Sequence, residues 1–189
     1  INMDSLIKNG LLITSNNRVQ ASIGIKDGLI AGIYEPGEEP EAAEIIDAKG
    51  LAIIPGAIDM HSHHREGSES GFEYKDTIFT STQQCAAGGV TTSVAMPNVT
   101  PPPNSLDLLK KQFAIYERDA IVDWNFNPAP TINDEIPLLA EQGIAAFKIF
   151  MVVDTGRSYP HMPGIGVHDH GRLLEIMQHS GMVKCSVLL

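Results

Sequence analysis

The order of apolar and polar positions divides the chain into two parts with different rhythms. In residues 1–54 the rhythm is that of strands. "LIKNGLLI" (6–13) sets Asn9-Gly10 between apolar runs, and "SIGIKDGLIAGI" (22–33) does the same with Asp27-Gly28. Both dipeptides favour the positive φ angles of tight turns, so each predicts a β-hairpin. "EPGEEPEAAE" (35–44) is acidic and proline-containing and reads as a solvated loop. "AKGLAIIPG" (48–56) then supplies a short strand closed by Pro55-Gly56.

From residue 55 onward strands and helices alternate. "AIDMHSH" (57–63), "VTTSVAMP" (90–97), "IVDWNFNP" (121–128), "AAFKIFMVV" (145–153) and "MVKCSVLL" (182–189) read as strands. Between them "TIFTSTQQCAAGG" (77–89), "SLDLLKKQFAIYERD" (105–119), "NDEIPLLAEQG" (133–143) and "DHGRLLEIMQHSG" (169–181) carry helical spacing. Ser105 and Asp169 are placed as N-caps, and Gly88-Gly89, Gly143 and Gly181 as stops. Five strands alternating with four helices imply a parallel sheet with helical crossovers. A closed eight-stranded barrel needs about 250 residues, and residues 55–189 number 135. The expected fold class is therefore α/β: a small all-β domain over 1–54, then part of a (β/α) barrel of about five strands, or a small open sheet, over 55–189.

Composition narrows the function classes. Of 189 residues, 43% are hydrophobic and 19% charged, as in a globular protein. A formal net charge of −10 argues against a nucleic-acid partner, which needs clustered Lys and Arg. No apolar run approaches the roughly 20 residues that span a bilayer, and no signal-peptide pattern opens the chain. Cys85 and Cys185 show no C-x-x-C spacing, as expected of a reduced, cytoplasmic protein. Met3 is read as the natural start.

The chemistry concentrates in "GAIDMHSHHREG" (56–67), where three histidines and an arginine occupy residues 61–65. Strand alternation puts Asp59, His61, His63 and Arg65 on one face, with Met60, Ser62 and His64 on the other. Two imidazoles two residues apart at the C-terminal end of a strand can reach one metal ion, at the end where parallel α/β folds keep their active sites. The competing reading is a polar loop mouth without metal. Lys148 lies in the otherwise apolar "AAFKIFM". A desolvated lysine loses its proton readily, and the neutral amine can take up carbon dioxide as an anionic carbamate. The alternative there is a strand-end lysine snorkelling to water.

Together "PGAIDMHSHHREG", "EYKDTIFTSTQQCAAGGVTTSVAMPNVTPP" and "AAFKIFM" resemble successive blocks of the cyclic amidohydrolases, the family of dihydroorotases, hydantoinases (dihydropyrimidinases) and allantoinases. "IKDGLIAGI" and "IIDAKGLAIIPG" are similar to that family's small β domain, so the resemblance runs to about residue 181. It implies a β-sandwich-like domain over 1–54 attached to a (β/α)8 barrel, incomplete in this sequence, and two divalent metal ions, zinc being the expected identity. His61 and His63 match the first ligand pair, and Lys148 matches the carboxylated lysine that bridges the metals. A metal-bridging hydroxide would attack the ring carbonyl of a small cyclic amide substrate.

Arg65 and Asn98 match the positions that hold the substrate carboxylate in the dihydroorotase branch, and "EYKD" (73–76) also looks like that branch. Hydantoinase, dihydropyrimidinase and allantoinase remain alternatives, because "REGSESG" lacks the branch's usual proline. Arg65 alternatively pairs with Glu66 or Glu69, and Asn98 alternatively serves as a turn residue after Pro97. His161, His168 and His170 are read as loop residues, His64 is left out of the metal set, and Cys85 is read as a small core residue. The family's later histidine ligands and its proton-shuttling aspartate have no match, and "CSVLL" diverges from the fifth-strand pattern. Three readings follow: a truncated or frameshifted hydrolase, a chain completed by a homo-oligomer or complementing chain, and a non-catalytic interaction or scaffold protein.

Overall fold

The computed structural model describes residues 2–153 and 163–189. The chain divides into two compact units, Ile1–Pro55 and Gly56–Leu189. The first holds one five-stranded mixed sheet in the order β3-β2-β1-β4, with β5 also on β1. Its strands are β1 (Met3–Ile13), β2 (Arg18–Lys26), β3 (Leu29–Tyr34), β4 (Ala42–Asp47) and β5 (Ala52–Ile53). Leu6, Leu12, Ala21 and Ile23 are its buried apolar residues, together with Met3 and Ala48.

Two expectations for this unit are corrected. Asn9-Gly10 does not turn a hairpin: β1 runs straight through it, with a register shift against β2 between Ile7 and Gly10. Asn9 takes a φ of 61°, the left-handed value of a bulge, and a Cβ on Gly10 would lie 2.4 Å from Ile53 Cδ1. The chain reverses instead at Thr14–Asn17, where the Thr14 N–H donates to the Asn17 carbonyl at 2.9 Å. The segment read as a loop over 35–44 ends in β4, whose register with β1 runs parallel from Met3↔Ala42 to Lys8↔Asp47. The Asp27-Gly28 hairpin between β2 and β3 forms as expected, with φ of 51° and 74°.

The second unit alternates β6 (Ala57–Ser62), α1 (Ile78–Ala87), β7 (Val90–Ala95), α2 (Leu106–Asp119), β8 (Asp123–Phe126), α3 (Ile136–Ala140), β9 (Phe147–Lys148), α4 (His170–Met182) and β10 (Val187–Leu188). It is an α/β fold. β6, β7 and β8 form one parallel sheet and β9 and β10 a second. Single backbone bonds link the two sheets, Ala145 N–H to Phe126 O and Lys148 N–H to Pro128 O. No barrel closes among the described residues. Thr77 caps α1 with its side chain in a reciprocal capping box with Thr80. Ser105 occupies the N-cap of α2 without a side-chain bond, and the Glu135 carboxylate takes the Leu106 N–H at 2.7 Å instead. Gly181 lies inside α4 rather than behind it, and the chain leaves that helix through Lys184 at a φ of 54°.

The helices gather on one side of the strands. Ile78, Leu109, Tyr116, Ile136, Leu139 and Ile176 from the helices meet Ala95, Phe126, Phe147 and Ile149 from the strand segments in one cluster. Because side chains alternate along a strand, residues between those strand positions face away from the helices. That placement decides which residues form the site.

Candidate functional site

Lys148 sits between Phe147 and Ile149, both in the helix-packed cluster, so its side chain lies on the opposite, helix-free face. It is 8% exposed. Among the described residues it has no carboxylate partner, and its ammonium position is 5.3 Å from the Phe150 ring centroid. Burial pushes its pKa below the ordinary lysine value, which favours the neutral amine.

The end of β6 sorts its histidines by the same alternation. His64 is buried on the helix side, its ring edge-on to Tyr116 of α2 at 5.8 Å. One ring nitrogen bonds the Ser81 hydroxyl on α1 and the other bonds Ser93 Oγ on β7 at 2.7 Å; Ser93 in turn donates to Ser62 Oγ at 2.7 Å. His61 and His63 are exposed on the other side, with ring centroids 5.2 Å apart and planes inclined by 63°. Imidazole nitrogens held at about 2.05 Å from one tetrahedral ion put their centroids roughly 5 Å apart. The ring separation of the pair is thus within the range seen for two imidazoles on one ion. His61 N–H donates to Asp59 Oδ1 at 2.9 Å, which fixes the backbone just before the pair. Among the described residues there is no cluster of three or more His, Cys, Asp or Glu suited to a metal.

His63 connects the remaining candidates. Its Nδ1 is 2.8 Å from Oδ1 of the buried Asn98. Partial desolvation on the Asn98 side of the ring is the largest influence and lowers its pKa; the Asn98 bond acts in the opposite direction, and the charges of Arg65, His61 and Lys148 lower it further. Arg65, His61 and Lys148 thus lie near enough for their charges to act on His63, and Asn98 touches it. Arg65 forms no ion pair among the described residues. Glu66 is turned away from it, its carboxylate accepting the Ile78 N–H at 2.8 Å at the start of α1. The loop after Arg65 lies tightly against the loop after β7. A Cβ on Gly67 would come within 2.1 Å of the Thr100 carbonyl oxygen, which also accepts the Glu69 N–H at 2.9 Å.

Asp169 caps α4, accepting the Arg172 N–H at 2.7 Å, with His168 and His170 exposed beside it. His161 lies outside the described residues. Cys85 is half-buried on α1 rather than a fully buried core residue. The polar chain from Ser81 through His64 and Ser93 to Ser62 was not anticipated. Its only signal was that Ser62 and His64 share the parity opposite to His61 and His63.

Burial also lowers the pKa of His64, with Asp76 and Asp59 partly opposing it. The unfolded chain takes up protons at His63 and His64 that the folded chain resists, so stability is full above about pH 6.5 and is lost as pH falls through the lowered folded values. The urea midpoint of metal-free protein is expected to drop steadily from about pH 7.5 to about pH 5, and His64→Gln should flatten part of that slope. A midpoint that stays level in both proteins contradicts this assignment.

A family model described as dihydro-orotase-like matches residues 50–144. A dihydroorotase from Enterococcus faecalis is 39% identical over 121 residues, covering 64% of this chain and 28% of that protein. A dihydroorotase from Lactobacillus leichmannii is 31% identical over 185 residues, 98% of this chain and 41% of that one. Among solved structures, the L-hydantoinase (dihydropyrimidinase) from Arthrobacter aurescens superposes with a TM-score of 0.81 at 25% identity, covering 98% of this chain and 40% of that one. The chain spans well under half the length of each of these relatives.

Proposed function

This chain belongs to the dihydroorotase-like family of cyclic amidohydrolases, and from that premise we propose that it carries the first half of a metal-dependent active site for opening cyclic amides. The observation that carries the proposal is the pairing of His61 and His63, ring centroids 5.2 Å apart, with a buried lysine that has no acidic partner among the described residues and whose charge acts on His63. His61, His63 and carboxylated Lys148 would hold divalent metal, with zinc as the expected ion. Bound there, the metal supplies Lewis acidity toward the ring carbonyl.

The chain's own residues do the rest of the work on this side of the site. Lys148, whose burial favours the neutral amine, would take up carbon dioxide and release a proton to become an anionic oxygen donor. Arg65, free of ion pairs among the described residues, presents its guanidinium fork to a substrate carboxylate. Asn98 offers amide N–H groups beside it. This pairing favours dihydroorotate over hydantoins or allantoin, which lack that carboxylate. We place these residues on an incomplete (β/α)8 barrel preceded by part of a β-sandwich domain, with the remaining donors supplied by sequence that matches the rest of the relatives' length. The exposed apolar residues of β6, Ile58 at 63% and Met60, support the alternative in which this chain acts by associating with a copy of itself or a complementing chain.

Titration of the purified chain with zinc, followed by assays of ring opening on dihydroorotate, hydantoin and allantoin, separates the readings. Expected are zinc binding that His61→Ala and His63→Ala each weaken, and turnover, where it occurs, of dihydroorotate before the other two. A stable oligomer that binds no zinc and opens none of the rings would favour association and end the catalytic reading.

A further inference from the structure

The contact between Asn98 and His63 does more than bring Asn98 to the mouth. An amide oxygen can only accept, so Asn98 Oδ1 at 2.8 Å from His63 Nδ1 requires that nitrogen to carry the proton. The other ring nitrogen, Nε2, is then left with its lone pair. Asn98 is itself held firmly. It is 6% exposed and sits two residues beyond Met96, whose N–H donates to Ser62 O at 2.9 Å. Pro97 lies between them, and on the far side Thr100 is packed against Gly67. The carboxamide thus hangs from a backbone tied to β6, the strand that leads into His63.

We propose that Asn98 is a positioning residue for His63: its amide oxygen selects the Nδ1-protonated tautomer and holds the ring so that Nε2 is presented to a divalent cation at the mouth. This rests on the reading of His63 as a metal ligand and gives Asn98 a task separate from substrate binding. A ligand imidazole whose second nitrogen is hydrogen-bonded keeps its orientation and gains basicity. The arrangement also fixes Asn98. With Oδ1 committed to His63, its amide nitrogen, which has no partner among the described residues, is the only end left for a substrate.

The test begins with metal-free protein carrying nitrogen-15 histidine, at about pH 8, where free imidazole is neutral. Two-bond proton–nitrogen correlations, with the His63 signals identified by their loss in His63→Gln, should display protonated Nδ1 and bare Nε2. Asn98→Asp, which keeps an acceptor oxygen at that position, should preserve this tautomer. Asn98→Leu should lose it and weaken zinc binding by about 10- to 100-fold, the usual effect of removing an outer-shell partner. An Nε2-protonated ring in the unmodified chain overturns the proposal without any variant being needed. Unchanged tautomer and zinc affinity in folded Asn98→Leu overturns it as well. Protonated Nδ1 that depends on Asn98, in a chain that binds no zinc, upholds the positioning and refutes the metal reading.

Discussion

Lys148→Met is expected to abolish any tight zinc binding by the chain while leaving it at least as stable to urea. The two halves of that result come from the same burial. A lysine that is 8% exposed, with no carboxylate beside it among the described residues, contributes little to folding as a cation, since desolvation opposes its charge. Methionine fills a similar volume without that cost. For a metal held as proposed, however, His61 and His63 alone would offer two neutral donors, whereas a carbamate on Lys148 would add a negative one. Losing an outer-shell partner costs about 10- to 100-fold in affinity, and losing a ligand should exceed that. Lys148→Arg, which cannot become neutral, should bind zinc no better than Lys148→Met. Carbon-13 bicarbonate should give a carbamate resonance in the parent chain and none in either variant. Zinc affinity unchanged in Lys148→Met would remove this residue from the site.

Phe126→Ala is expected to destabilise the Gly56–Leu189 unit by about 3–5 kcal/mol, a large share of the stability of a domain this size. Phe126 is fully buried at the end of β8, in the same cluster as Tyr116, whose ring centroid is 6.1 Å away. Removing the ring leaves a cavity where β8 meets α2 and α3. The next residues, Asn127 and Pro128, carry the backbone that accepts the Lys148 N–H, so the placement of Lys148 should loosen with the core. Urea unfolding followed through Trp124 fluorescence reads the change, because Trp124 packs on Tyr116 at 4.9 Å. Ile121→Ala, on an exposed residue, serves as the control and should stay within about 0.5 kcal/mol. Equal midpoints for the two variants would show that the cluster is not what holds this unit together.

Much of this architecture was legible in the chain because its signals are local. Periodicity located all four helices of the second unit, and alternation separated His64 from His61 and His63, since one residue changes the face. What could not be read depends on partners distant in sequence. Asn9-Gly10 has the chemistry of a turn, but neighbours on both sides of β1 keep the strand going and the dipeptide becomes a bulge. β4 is acidic and mostly exposed, so nothing in its composition marks it as a strand; only its pairing with β1 does. Asn98 was visible as a candidate, but its bond to His63 spans 35 residues and leaves no local trace. Arg65 had two nearby acids as prospective partners, and only the capping of α1 by Glu66 shows why that one is engaged elsewhere.

The serine-lined pocket around His64 has a consequence for the purity of the folded state. "HSHH" offers imidazoles in both parities, so a one-residue slip of β6 would still fill that pocket, with His63 in place of His64. Only one histidine, His64, would then remain on the metal-facing side, beside Ser62. Such a chain would be folded and compact yet unable to chelate. The Ser62–Ser93 bond discriminates against it, since a slipped strand would remove Ser62 from Ser93. Ser93, bonded to both His64 and Ser62, thus favours the observed register of β6 over the slipped one.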